Sequence, residues 1–183
     1  MGCWSVGVIH VGVTQLNLHG RLSLTVLDAD GIVKDYREGD NVMCTAGLTA
    51  IAQSLVWSGI EDQAGNIGVT TATYLTPLWG AVGSGTGTVD AADTQLFTEL
   101  SRQTVGAGAS TPATPSINAQ TTWLFYFPSP GTTWTVTEAG VFANASSTAN
   151  SGTMMDHWLF SPTVTVTTSD TLILQANFSV AGV

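Results

Sequence analysis

The sequence predicts a mainly β fold, a β-sandwich or jelly-roll-like domain with one short amphipathic helix. Three observations lead there. Short apolar runs alternate with period two, Gly, Pro or Asp turn signals separate them about every ten residues, and one segment alone carries the three- and four-residue apolar spacing of a helix. With 183 residues the chain suits one core, since about 150 residues already bury roughly 70% of the unfolded surface.

Taken in order, Met1 to Val13 carries no charge, and Val6, Val8, Val11 and Val13 invite extended pairing. Residues 1–20 are therefore expected as an extended arm or a first strand, and 21–183 as a single β-rich domain. From Arg21 the alternation sharpens: Leu22, Leu24 and Val26 share one face and Arg21, Ser23 and Thr25 the other. Asp28-Ala29-Asp30-Gly31 supplies turn chemistry, and Ile32 to Arg37 returns as the second strand of a hairpin. Asp28 and Asp30 resemble the start of a calcium loop, but no Glu closes it, so no metal is expected.

Thr45 is an N-cap candidate ahead of Leu48, Ile51, Ala52, Leu55 and Val56, with Gly59 as the stop. Ser58 to Thr76 reads as a surface loop. Leu78 to Gly83 forms a short apolar strand, and Ser84-Gly85-Thr86-Gly87-Thr88 then bends. These glycines do not make a phosphate loop, because no Lys-Ser/Thr ends the run and the acidic stretch Asp90 to Asp93 follows.

Ala107 to Ser116 is a small-residue connection. Thr121 to Phe127 and Thr132 to Thr137 flank Pro128-Ser129-Pro130-Gly131 and read as another hairpin, with Trp123, Phe125 and Phe127 on one face of its first strand and Trp134 and Val136 on one face of its second. Asn144 to Gly152 is a loop, Met154 to Phe160 is extended, and Pro162 is expected to break it. Thr163 to Thr168 alternates Thr and Val, Ser169-Asp170 turns, and Leu172, Leu174, Ala176, Phe178 and Val180 line one face of the last strand.

Composition restricts partners. Charged residues are 9% of the chain while hydrophobic residues reach 44%, so uncharged Thr, Ser, Gly and Ala cover much of the surface. Such faces lose their water more cheaply than Lys/Glu faces, which favours self-association. Net charge is −9, with only Arg21, Lys34, Arg37 and Arg102 as fixed cations. That leaves no basic stripe for nucleic acid and repels an anionic membrane. No apolar run approaches the roughly 20 residues of a transmembrane helix, no basic segment opens a secretion signal, and Val6 stands where a myristoylation signal needs Ser or Thr. The protein is expected to be soluble when made. Cys3 and Cys44 give no disulfide framework and are expected as free, buried thiols.

The candidate catalytic groups are few. His10, His19 and His157 fall in no zinc-ligand spacing. His10, within the apolar arm, suits a hydrogen-bonded interface. Asp156-His157 supplies two thirds of a hydrolase triad, without a nucleophile elbow. Glu99 and Glu138 are the first suspects for a carboxylate pair of the glycosidase kind, their blander roles being turn anchoring or pairing with a cation, Glu99 with Arg102 for instance. No catalytic, cofactor-binding or metal-binding residue is assigned, and a non-enzymatic protein is expected.

Several segments, in order, resemble small structural proteins of tailed bacteriophages, of the head-decoration, tail or fibre type. Asn41-Val42-Met43-Cys44-Thr45-Ala46-Gly47-Leu48 is similar to that family's strand-to-helix step. Ala81 to Thr88 leads through Asp90-Ala91-Ala92-Asp93-Thr94-Gln95-Leu96 to Glu99-Leu100-Ser101-Arg102, similar to a Gly-Thr-Gly segment, an Asp-Thr-x-Leu element and an acidic-x-x-Arg pair. Thr137-Glu138-Ala139-Gly140-Val141-Phe142 then precedes a small-residue loop, Met154-Met155 and a closing Thr-rich hairpin. The resemblance spans Arg21 to Phe178 and implies a virion role without catalytic residues to carry over. The leading expectation is a capsid decoration (cement) protein that oligomerises, as a trimer on the resemblance alone, on the major capsid protein or other virion proteins. A tail, baseplate or fibre module binding a host receptor through Trp57, Trp79 or Trp158 is the second expectation, and a wall- or polysaccharide-cleaving enzyme the third.

Overall fold

The computed structural model describes residues 16–49, 77–106 and 118–182. It contains β1 (Leu16–Leu27), β2 (Val33–Asp40), β3 (Val42–Met43), β4 (Pro77–Gly83), β5 (Glu99–Thr104), β6 (Asn118–Phe127), β7 (Trp134–Ala143), β8 (Thr153–Val166) and β9 (Thr171–Gly182). They form two antiparallel sheets, β2-β1-β9-β6 and β3-β8-β7-β4-β5. A helix, α1, starts at Thr45 and is described over 45–49. The fold is mainly β and sandwich-like, as the alternation requires. The expected arm of Met1 to Val13, the rest of the helix to Gly59, the 58–76 loop and the 107–116 connection lie outside the described residues.

The first hairpin forms where turn chemistry places it. Asp28 Oδ1 accepts the N–H groups of Asp30 and Ile32 at 3.0 and 2.9 Å, and Gly31 takes φ 77°, a region that glycine enters without strain. The returning strand pairs Thr25 with Tyr36 and Arg21 with Asp40. Leu22, Leu24 and Val26 are buried against the second sheet, each contributing about 1.5–3 kcal/mol of apolar burial. β1 starts at Leu16, opposite Gly182 of β9, so 16–20 belong to the sheet.

Two expected hairpins are corrected. β6 pairs with β9 in the first sheet, whereas β7 pairs with β4 and β8 in the second. The 128–133 connection therefore crosses the sandwich. Pro128 and Pro130 lack N–H groups and fix φ, so this loop cannot close a tight ladder. Its aromatics meet between the sheets, with Phe125, Phe127 and Val136 in one core and Trp134 packed against it. Trp123 stacks edge-on with Phe178 of β9, centroids 5.0 Å apart. The Thr167–Asp170 turn likewise carries the chain from β8 to the other sheet, and no closing hairpin forms.

Pro162 does not break β8, which continues to Val166. The ladder with β7 jumps there instead, from Val136 opposite Val164 to Glu138 opposite Leu159. A proline without an N–H is accommodated where no ladder bond is required. The helix cap also moves: the Cys44 carbonyl accepts the Leu48 N–H at 2.9 Å, so Cys44 caps the helix and Thr45 is already within its first turn.

Within the second sheet, β7 is buried on both faces. β7 is buried without interruption from Val136 to Ala143. Val136, Ala139 and Val141 join the inter-sheet core, while Phe142 packs with Cys44, Ala81, Leu96 and Met154 in a second core.

Candidate functional site: a buried carboxylate–histidine cluster

Glu138 on β7 and Asp156-His157 on β8 are charged or ionisable groups set inside apolar strands, and all three are fully buried. Such groups persist in a core only when paired and hydrogen-bonded. Glu138 accepts backbone N–H groups from Gly85 at 2.8 Å, Thr98 at 2.8 Å and Phe97 at 2.9 Å. Its Oε2 lies 3.0 Å from His157 Nε2, and His157 Nδ1 lies 2.7 Å from Asp93 Oδ2. Asp93 also accepts the Asp90 N–H at 2.9 Å, and the Phe97 ring tilts against the imidazole with centroids 4.9 Å apart.

The glycine run makes this approach possible. A Cβ on Gly85 would collide with the Glu138 carboxylate and with Phe97, so the backbone reaches the carboxylate only because no side chain intervenes. The Gly-Thr-Gly segment thus packs over the second sheet and donates to Glu138.

The electrostatics follow from this shell. Burial opposes the charged form of His157, but the hydrogen bonds and charges of Glu138 and Asp93 outweigh it and raise its pKa above the ordinary histidine value. Burial likewise pushes Glu138 up, yet the bonds from His157 and from the Thr98, Phe97 and Gly85 N–H groups hold it below the ordinary carboxylate range. The imidazolium commits both nitrogens to carboxylates and has no lone pair for a substrate proton. Burial, with the charges of Asp156 and Asp93, pushes the Cys44 thiol up to about 12, far from the thiolate a nucleophile needs. Cys44 is free and buried; Cys3 lies outside the described residues. The cluster therefore acts as a clamp, fastening the 84–98 segment to β7 and β8. A shallow cavity of about 310 Å³ lies alongside, lined by Asp40, Val42, Gly87, Thr88, Val89, His157, Trp158 and Leu159, but the His157 side chain is wholly buried.

The second suspected carboxylate is also committed. Glu99 takes a two-pronged bond from Arg102, 2.6 Å to Nε and 2.7 Å to Nη2, and accepts the Asn150 N–H at 2.9 Å. Arg102 Nη1 donates to the Ser146 and Ser151 carbonyls, each at 3.1 Å, and its guanidinium lies 4.8 Å from the Phe142 ring centroid. Residues three apart on a regular strand face opposite ways. Here Val82 opposes Ser101 and Gly83 opposes Glu99, so Leu100 is an inserted residue that brings Glu99 and Arg102 to one side. Glu99 and Glu138 flank Gly83 on the two neighbouring strands, but each carboxylate is held by its own donors, Glu99 by Arg102 and Asn150 and Glu138 by Gly85, Phe97, Thr98 and His157.

The remaining candidates are placed as follows. His157 meets Asp93 and Glu138 and Asp156 meets Val141 and Asn41, neither a serine. His19 is exposed, 3.2 Å from Asp40, and His10 lies outside the described residues, as does Trp57. Trp79 packs part-buried against the second core and Trp158 lies in the first. Among the described residues no three His, Cys, Asp or Glu side chains converge to hold a metal ion, and no helix is long and apolar enough to cross a membrane. Sequence reasoning missed Asp93 and Asn41 as members of the cluster, because their partners are 64 and 115 positions away. The usable signal was the presence of Glu138 and Asp156-His157 inside otherwise apolar strands.

Asp156 carries a testable consequence. It accepts the Val141 N–H at 2.8 Å and the Asn41 side-chain amide, but burial dominates and raises its pKa to about 7. An acid whose folded pKa is raised stabilises the fold less as pH rises from its ordinary value of 3.8 to about 7. Asp156→Asn is expected to keep the Val141 bond, and with a turned Asn41 amide it gives a partner to Asn41 Oδ1, which is buried without one. Urea unfolding at pH 5 and pH 8 should show the variant gaining on the wild type at the higher pH. A variant that loses more stability at pH 8 than at pH 5 would overturn this account of Asp156.

Comparison of the chain with protein-family models, curated proteins and solved structures finds no match.

Proposed function

We propose that the chain is a non-enzymatic structural protein of a tailed-phage virion, a head-decoration protein that self-associates and cements the shell by binding the major capsid protein. The supporting observation is where the molecule spends its ionisable groups and its exposed apolar surface. The buried clusters tie surface segments to the second sheet, Glu138 and His157 holding 84–98 and Arg102 holding 144–151, while exposed large apolar side chains stand on the β1–β2 turn and β2 (Ile32, Val33, Tyr36), with others on β3, α1, the 84–98 segment and β6 (Val42, Leu48, Phe97, Tyr126). Ile32 is 64% and Val33 59% exposed. A rigid sandwich with adhesive margins suits assembly by surface contact. The charge-poor composition and the ordered resemblance to phage virion proteins support the same reading.

A tail, baseplate or receptor-binding module is the alternative. Tyr36 and Tyr126 are each 48% exposed, the kind of surface aromatics a glycan platform uses. They lie on β2 and β6, opposite edges of one four-stranded sheet, roughly 14 Å apart at three strand spacings, which is wide for one platform.

The test is to add purified protein to particles lacking it and image them. Density over the shell, with particles more resistant to heat, is the expected result, and a trimer is expected in sedimentation. Density at the tail tip replaces this reading with the alternative. A monomer that binds no part of the particle overturns both.

A further inference from the structure

We infer that the edge of β6 at residues 118–123, unpaired among the described residues, accepts, by strand addition, the apolar N-terminal segment Met1 to Val13 of a second copy. This rests on the self-association reading above and names its contact. The open strand edges differ in kind. β2 carries Lys34, Asp35, Arg37, Glu38 and Asp40 along its length, the charges by which proteins keep an edge from pairing. β8 beyond its two-residue partner β3 contains Pro162, and the 144–151 loop is fastened to β5 through Arg102. The start of β6, Asn118-Ala119-Gln120-Thr121-Thr122-Trp123, has neither charge nor proline.

The hydrogen-bond pattern shows which groups are offered. The Leu124 carbonyl accepts the Gly106 N–H at 3.0 Å, and Val105 bridges Phe125, so Leu124 turns its backbone away from β9. Every second residue of a strand shares that direction, which points the backbone groups of Asn118, Gln120 and Thr122 the same way. Among the described residues the bridge at Val105 covers only the later part of this edge, and an extended segment fits beside the earlier part.

The occupant is argued from chain length. Met1 to Val13 is uncharged and rich in Val, matching an uncharged edge. Only Thr14 and Gln15 separate Val13 from Leu16, where β1 begins opposite Gly182. The step from Val13 to Leu16 spans at most about 10 Å, whereas the free side of β6 lies across β9 from β1, three strand spacings or roughly 14 Å away. A run paired through to Val13 therefore reaches another copy's edge more readily than its own. Each copy then gives an arm and receives one, a head-to-tail contact that closes into a ring.

Two variants separate the halves of this contact. Thr122→Pro removes an N–H that points away from β9 and places a ring on the accepting edge; the backbone ladder with β9 is kept and one side-chain bond to it, Thr122 Oγ1 to Asn177 Oδ1 at 2.7 Å, is lost. Deletion of residues 1–13 removes the donor. Each variant alone should be a folded monomer, the arm deletion with near wild-type melting and Thr122→Pro with melting lowered by the one side-chain bond it loses, and their mixture should form one-to-one dimers, since one keeps the edge and the other the arm. Hydrogen exchange should show Gln120 and Thr122 amides protected in the wild type, with protection lost on dilution and on arm deletion. Protection that depends on the arm but not on dilution places the arm on its own edge and overturns the exchange. A wild type that oligomerises while both variants do so equally well overturns the β6 contact and leaves self-association standing; a wild type that is monomeric both free and on the particle removes both. If Thr122→Pro does not fold, the arm deletion and the exchange measurement decide alone.

Discussion

Replacing Glu138 by Gln is expected to destabilise the protein by about 3–5 kcal/mol, the cost of removing one partner from a buried ionic group. The carboxylate receives four donors, the N–H groups of Gly85, Phe97 and Thr98 and His157 Nε2. An amide offers one oxygen and turns an NH₂ toward the remaining donors, so at least one buried N–H is orphaned at about 1–3 kcal/mol. His157 keeps only Asp93 to balance its charge. The loss should depend on pH in a defined direction. The depressed Glu138 contributes stability above its ordinary value of 4.5 and loses it as acid protonates the folded state; the raised His157 contributes fully below 6.5 and loses it as pH rises through its folded value. The wild-type advantage is therefore largest in the mildly acidic range and narrows on either side. Denaturant unfolding from pH 4 to pH 9, with hydrogen exchange at Phe97 and Thr98, reads both the size and the place of the effect. A loss below about 1 kcal/mol at every pH would show that the clamp contributes little.

The clarity of each part of this fold in the sequence tracks how local its cause is. The β1–β2 hairpin was legible because Asp28 and Gly31 act within four residues of one another and Leu22, Leu24 and Val26 mark the buried face. The partners of β6 and β9 were not. Alternation says that Phe125 and Leu174 face a core, and it is silent on which sheet carries each strand. Pro128 and Pro130 were evidence against a tight hairpin that the flanking aromatics obscured. Pro162 was read by its effect on an uninterrupted ladder, and β8 absorbs it by interrupting the ladder with β7 at that point. For the cluster, the strands named Glu138 and His157 as anomalies, and Glu99 with Arg102 was anticipated as a pair, although on a helix-like spacing that only the inserted Leu100 makes possible on a strand. Asp93 was legible only as part of an acidic stretch, since nothing within the 84–98 segment specifies that it folds back on β8.

Phe125→Ala should cost about 3–5 kcal/mol while Tyr126→Ala, one residue along, costs within about 0.5 kcal/mol. Phe125 is fully buried and Tyr126 is 48% exposed. The Phe125 ring sits opposite Leu174 of its own sheet and rests on β4 at Gly80, where even a Cβ would meet the ring. That contact sets the size of the loss. Gly80 has no side chain with which to fill the vacated space, and the backbone of β4 is held by β5 and β7 on both sides, so the cavity collapses little and the cost falls toward the upper end of the range. Chemical unfolding of the two variants compares neighbours with the same backbone and opposite directions. Equal losses would mean that the two side chains share one environment, which a strand of the sandwich cannot provide; a small loss at Phe125 would mean that β4 moves in to close the gap, and that the second sheet is softer than its doubly buried β7 implies.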